Sequence, residues 1–115
     1  MISATHRFHG LNGLRFVLGR GKTVRSGQLS LRYALNKHRK TYRVAVVVSK
    51  KVSKSAVVRN RIRRRLYEEV RQQAVAIEGS FDLVVFAYSE AVADMSHKDV
   101  QKQIKRLLEQ AGITK

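Results

Sequence analysis

The chain has 115 residues, 43% of them hydrophobic, with no Cys, no Pro and no Trp. This is the size of one domain with one modest core, and it excludes disulfides, Cys-ligated zinc and Cys nucleophiles. Lys and Arg number 24 against 8 acids, a net charge of +16 at pH 7, so the chain attracts polyanions.

No internal repeat, Gly/Ser linker or Pro-rich tract divides the chain, and a single domain over 1–115, with an ordered core over 10–113, is expected. Gly10 to Gly19 reads as a short helix, with Leu11, Leu14 and Leu18 at i, i+3 and i+7 and Val17 beside them. Gly19 and Gly21 end it. From Gln28 to Leu35 the pattern alternates: Leu29, Leu31, Tyr33 and Leu35 share one face, and Gln28, Ser30, Arg32 and Ala34 the other. That period predicts a strand with one face on the core. Tyr42 to Ser49 is rich in Val and apolar on both faces, which predicts an interior strand.

Helical spacing then runs from Ser55 to Ile77. Val58, Ile62, Leu66 and Val70 form its stripe, and Ser55 is placed to cap it. Phe81 to Tyr88 is a further apolar strand. Ser96 to Ala111 is a last helix, with Ser96 and Asp99 resembling a capping box and Gly112 at the position that closes it. The order α-β-β-α-β-α predicts an α+β fold, a small mixed β-sheet packed with three helices. The strand–helix–strand unit suggests a parallel pair with a crossover, whose hand the spacing leaves open and whose usual sense is right-handed.

The charge is unevenly placed. The first 67 residues hold 18 Lys and Arg and no acid; the last 48 hold 6 bases and all 8 acids. The amino-terminal elements are therefore expected to build one cationic surface. An ordinary solvated surface intersperses the two signs. A membrane-surface protein wants a long amphipathic helix with a bulky apolar face, and no run of 18 apolar residues exists to span a bilayer. Nucleic acid is the expected partner. Met1 to Gly10 has no apolar stretch of signal-peptide length, and with no Cys in the chain the expected location is the cytoplasm.

The window Lys50 to Arg65 concentrates the charge in Lys50, Lys51, Lys54, Arg59, Arg61, Arg63, Arg64 and Arg65, with no acid. At about 100° per residue, with Ile62 pointing inward, Asn60, Arg64 and Arg71 form an outward stripe. Arg61 and Arg63 flank it. Arg59 and Arg65 lie nearer the core edge, from where their stems can reach outward. Guanidinium groups fork onto phosphates and stack on bases, and the helix N-terminus adds partial positive charge beside the lysines. Chemistry by the protein itself is not expected. The basic half has no acid, Glu68 and Glu69 diverge on their helix, and Asp82, Glu90 and Asp94 are scattered, whereas a metal-dependent nuclease needs clustered carboxylates. His6, His9, His38 and His97 have no matched partner, so no metal site is expected.

The same window resembles the signature of the bacterial ribonuclease P protein family, in which a strand ends in Ser-Lys-Lys-Val and a helix opens with Ala-Val-Val-Arg-Asn-Arg-Ile. The match covers Ser49 to Val52 and Ala56 to Leu66. The likeness extends over nearly the whole chain, through a first helix ending near Gly21, the two strands after it, the Phe81–Val85 strand and the last helix. It implies a ribosomal protein S5 domain 2-like sandwich with a left-handed β-α-β crossover. It further implies that Arg59, Asn60, Arg61, Arg63, Arg64 and Arg65 lie against a catalytic RNA, with Lys50, Lys51 and Lys54 on the same surface. The partners it implies are that RNA and precursor tRNA, with the free protein a monomer. The RNA would hold the catalytic Mg²⁺, the protein assisting.

The family also has a cleft between the sheet and the first helix, where the single-stranded 5′ leader passes against aromatic side chains. Here Leu14 and Leu18 stand at helix positions that are often Phe, and Arg32 at a strand position that is often aromatic; Phe16 and Tyr33 are close by on other registers. Stacking is worth about 1–3 kcal/mol per base, so the leader is expected to be held more weakly, or through Arg32 and apolar contact. The competing readings are a ribosomal-type structural RNA-binding protein, a DNA-compacting protein and an autonomous nuclease.

Overall fold

The structure is a computed structural model that describes residues 19, 21–37 and 41–114. The helix expected over Gly10 to Gly19 falls outside these residues except for Gly19, as do Leu14, Phe16, Leu18, His6, His9 and His38.

Strand β1 (Lys22–Ser26) has no counterpart in the sequence reading. Its Lys-Thr-Val-Arg-Ser has one apolar residue and so no period-two signal. It is a strand because it pairs antiparallel with β2 (Leu29–Leu35), Val24 opposite Leu31. Gly27 makes the turn between them at φ +59, where a Cβ would come 3.0 Å from the Gln103 side chain. The next strands are β3 (Arg43–Val47) and β4 (Phe81–Ala87). The sheet order is β1-β2-β4-β3, with β2 and β4 antiparallel and β3 and β4 parallel. β2 and β4 are therefore the interior strands, and β3, expected inside, lies at the edge. The Tyr67 hydroxyl accepts the Val46 N–H at 3.2 Å, so part of that edge is covered from the neighbouring helix.

Helix α1 (Ala56–Gln73) starts at Ser55, whose Oγ accepts the Val58 N–H at 3.2 Å. It gives way to a 3₁₀ turn at Ala74–Ala76 instead of continuing to Ile77. Helix α2 (His97–Ala111) is capped by Ser96, which accepts the Asp99 N–H, and closes at Gly112, φ 69. A second 3₁₀ turn, Glu90–Ala93, links β4 to α2. Two α-helices are thus described where three were expected.

Both helices pack on one face of the sheet. Ile62, Leu66 and Val70 from α1 and Val100, Ile104, Leu107 and Leu108 from α2 share a cluster with Leu29, Leu31, Val44, Val46, Leu83 and Val85. Strand alternation sends Asp82, Val84 and Phe86 to the opposite face. There Asp82 is fully buried. Arg43 donates to it from Nε and Nη2 at 2.9 and 2.8 Å, and Asn36 Nδ2 at 2.9 Å.

This ion pair joins β3 to β4, and removing the acid alone takes away the buried carboxylate that faces the largely buried Arg43 guanidinium. Asp82→Ala is expected to lower stability by about 3–5 kcal/mol, read as a lower urea midpoint with an unchanged slope.

Candidate nucleic-acid interface

The cationic window occupies the β3–α1 loop and the first half of α1. Because Ile62, Leu66 and Val70 are buried, the helix turns Asn60, Arg64 and Arg71 outward, and all three are exposed. This is the stripe that the spacing predicts. Lys50, Lys51 and Lys54 are exposed in the loop beside the helix N-terminus. Ser53, buried there, accepts the Ser55 N–H on its Oγ at 3.2 Å. Val57, 78% exposed, lies one turn before Asn60 and Arg61 and extends the same surface with an apolar patch. Polarity-based reasoning passed over it.

The arginines divide by what they touch. Arg59, half-buried, donates to the Ser53 carbonyl at 2.8 Å and so ties the loop to the helix. Arg65 donates to the carbonyls of Val92 (2.6 Å) and Met95, clamping the 3₁₀ turn onto α1. Neither stem reaches outward as its position on the wheel allowed, because carbonyls unpaired by regular structure lie within reach. Arg63 donates to Asn60 Oδ1, which orients both on the surface. Arg61 and Asp94 are 3.6 Å apart and mostly exposed, a pair worth little in water. Arg71 donates to Glu68 at 2.6 Å, and this guanidinium holds the Glu68 carboxyl below the usual carboxylate range. Arg64, with Lys50, Lys51 and Lys54, carries the most open charge.

The other face of the sheet holds a second set of polar and aromatic groups. Arg32 donates to Thr23 Oγ1 at 2.9 Å. Ser30, 2% exposed, shares a 2.7 Å hydrogen bond with the Tyr88 hydroxyl. Tyr88 lies parallel to Phe86, and the Arg25 guanidinium sits over its ring. Tyr33 does not belong here. Neighbouring strand residues point to opposite faces, so Tyr33 packs on the core, edge-on to Phe81 at 6.3 Å, while Arg32 takes the other side. Arg25, Phe86 and Tyr88 were not singled out from sequence, because β1 gave no strand signal and the apolar run of β4 concealed its two faces.

Among the described residues no three His, Asp or Glu side chains gather to hold a metal ion. Asp82 is taken by Arg43 and Asn36, Glu68 by Arg71, and the buried Glu69 accepts from Gln73 at 2.8 Å, with His97 Nδ1 4.0 Å away. Mg²⁺ asks for carboxylates that reach it together, and these do not. No described helix is long and apolar enough to cross a membrane.

Comparison with known proteins gives a consistent set. Residues 2–112 match the family described as Ribonuclease P. The chain is 40% identical over 93 residues to the ribonuclease P protein component of Roseiflexus castenholzii, covering 81% of this chain and 75% of that one. It is 37% identical over 103 residues to that of Clostridium kluyveri, covering 88% and 89%. In structure it is similar to the RNase P protein of Staphylococcus aureus, with a TM-score of 0.82 at 24% identity over 96% of this chain and 98% of that one. The RNase P protein of Thermotoga maritima gives 0.79 at 20% identity, covering 90% and 96%.

The two kinds of arginine are separable by stability. Arg65→Ala is expected to lose about 1.5–3 kcal/mol, since two carbonyls lose a charged donor, and Arg64→Ala to stay within about 0.5 kcal/mol of wild type. Thermal and urea unfolding of the two variants side by side measures the difference.

Proposed function

The chain belongs to the ribonuclease P protein family, and from that membership we propose how it serves the ribonucleoprotein. The β3–α1 loop and the outward stripe of α1 dock on the catalytic RNA. The opposite face of the sheet accepts the 5′ leader of precursor tRNA, which the holoenzyme removes by endonucleolytic cleavage to leave the mature 5′ end. Catalysis and the Mg²⁺ it uses belong to the RNA, and the protein works in the cytoplasm.

The observation that carries this reading is the open cationic ridge of Lys50, Lys51, Lys54, Arg61 and Arg64, set in a segment without a single acid. Like charges packed on one helix gain nothing in the isolated protein. Against RNA each displaces a condensed counterion, which is the main source of affinity. Guanidinium adds forked phosphate contacts that ammonium cannot make. The protein screens phosphate repulsion between catalytic RNA and substrate and adds its own hold on the leader, so its benefit is greatest where Mg²⁺ is scarce.

Cleavage of a 5′-extended precursor tRNA by the catalytic RNA, with and without the protein across a Mg²⁺ series, tests this directly. Wild type is expected to restore cleavage at low Mg²⁺, with a shrinking advantage as Mg²⁺ rises. Arg61→Ala/Arg64→Ala, which spares the carbonyl-bound Arg59 and Arg65, is expected to need a much higher protein concentration. It should also flatten the slope of log affinity against log salt by about 1–2. RNA binding with unchanged cleavage would favour a ribosomal-type structural role, and cleavage by the protein alone would place the chemistry in the chain.

A further inference from the structure

The acids of the carboxyl-terminal half conceal a second cationic surface. The last 48 residues hold 6 bases against 8 acids, but the fold spends several of those acids elsewhere. Asp82 and Glu69 are buried, Glu68 is taken by Arg71, and Asp94 faces Arg61. Four of the six bases stand on α2: Lys98, Lys102, Lys105 and Arg106. Burial of Val100, Ile104, Leu107 and Leu108 turns these four outward, and all are exposed. Among the described residues none of them pairs with a carboxylate. The acids of α2 itself, Asp99 and Glu109, stand in its first and last turns. Lys98, Lys102 and Arg106 follow one another at i+4, about 6 Å apart along the axis. Like charges at that spacing destabilise a helix. Lys98 also lies in the first turn, where the helix dipole disfavours a cation. The free protein gains nothing from this row.

The row borders a groove between the two helices. Gln73 Nε2, at the end of α1, donates to Glu69 Oε2 at 2.8 Å and to the Gln101 carbonyl at 3.1 Å, tying α1 to α2. On one side of this tie lies a hollow of about 330 Å³ lined by Arg64, Arg65 and His97. On the other lies a hollow of about 560 Å³ lined by Val75, Leu108, Lys102 and Lys105. Val75 is 83% exposed, so this end offers apolar area with two ammonium groups beside it. From these features we infer that the outward face of α2, with the groove beside it, is a second docking surface for the catalytic RNA. The inference rests on the proposed function and extends the RNA footprint beyond α1. Three properties select this occupant. A row of unpaired cations matches a chain of phosphates, each contact releasing a counterion, whereas a single small anion would engage one or two of them. Val75 and Leu108 give a ribose or a base face something to cover. The two helices pack on the same face of the sheet, so RNA docked at Arg64 continues past His97 and along the groove to Lys102 and Lys105. The face assigned to the leader is on the other side of the sheet. A lipid surface would want bulky apolar residues among the outward side chains, and α2 has none there.

The test is equilibrium binding of the full-length protein to the catalytic RNA across a salt series. The variants are Lys102→Ala/Lys105→Ala, Lys98→Ala/Arg106→Ala and the charge-keeping Lys102→Arg/Lys105→Arg. Each alanine pair is expected to bind more weakly and to flatten the slope of log affinity against log salt by about 0.7–0.9 per cation lost. Its deficit should therefore shrink by about 7- to 12-fold between about 50 and 200 mM salt. The arginine pair should match wild type. Urea midpoints of the free alanine variants should equal or exceed that of wild type, because the substitutions relieve like-charge pairs. The chain has no Cys, so Gln101→Cys gives a unique tether for an iron chelate. Hydroxyl radicals from it should cut the catalytic RNA of the holoenzyme at a discrete set of nucleotides. Three results each overturn the α2 surface and leave docking on α1 standing: wild-type affinity and salt slope in both alanine pairs, cuts confined to the leader of bound precursor, or lowered urea midpoints that account for the weaker binding. A wild-type protein that does not bind the catalytic RNA overturns both.

Discussion

The roll of α1 about its own axis is set by Ile62, Leu66 and Val70, and what the protein presents to a partner follows from that roll. These three side chains are at most 1% exposed, and burying each contributes about 1.5–3 kcal/mol. Two exposed like charges a few ångströms apart repel by about 1 kcal/mol in water and less in salt. Packing therefore outweighs the repulsion among the helix cations, and Asn60, Arg64 and Arg71 are carried outward at no cost to the helix register. An arginine-rich helix without such a stripe would have nothing to fix its roll, and its cations would not share a surface.

The sheet divides the molecule into two working sides. Alternation along β2 and β4 sends Leu29, Leu31, Leu83 and Val85 to the helices, and Ser30, Arg32, Asp82 and Phe86 to the other face. A slip of one residue in that register would exchange the two sets. The buried Asp82, gripped by Arg43 and Asn36, opposes such a slip, because its carboxylate is matched only when β3, β4 and the end of β2 are aligned. Polar groups on the outer face are thus used twice: at one end to hold the sheet together, at the other to leave Tyr88 and Arg25 available.

Not all of the positive charge is interface. Arg43, Arg59 and Arg65 are spent on a carboxylate or on backbone carbonyls inside the fold. Arg59 and Arg65 look identical to Arg61 and Arg64 in the sequence, and Arg65 lies only about 40° from Arg61 on the helical wheel. What separates them is whether the 3₁₀ turn at Glu90–Ala93 or the Ser53 loop lies within reach, a fact about segments up to 30 residues away.

Local pattern decided a good deal by itself. Four-residue spacing marked α1 and its buried stripe, Ser55 and Ser96 marked the helix starts, and the acid-free run with its Arg-Asn-Arg helix pointed to RNA and to the family. These signals are legible because helix periodicity and capping act over one or two turns of chain. Other features needed the tertiary structure. β1 is a strand only because β2 lies beside it, β3 is an edge only because β4 inserts between it and β2, and Tyr33 and Arg32 part company only once the sheet has a core side. The meeting of Arg25, Ser30 and Tyr88, the last two 58 residues apart, exists only in the folded sheet. Strand pairing is a long-range choice among alternatives that look alike locally, so the residues of the chain settle the helices, and the closed sheet settles which side chains meet.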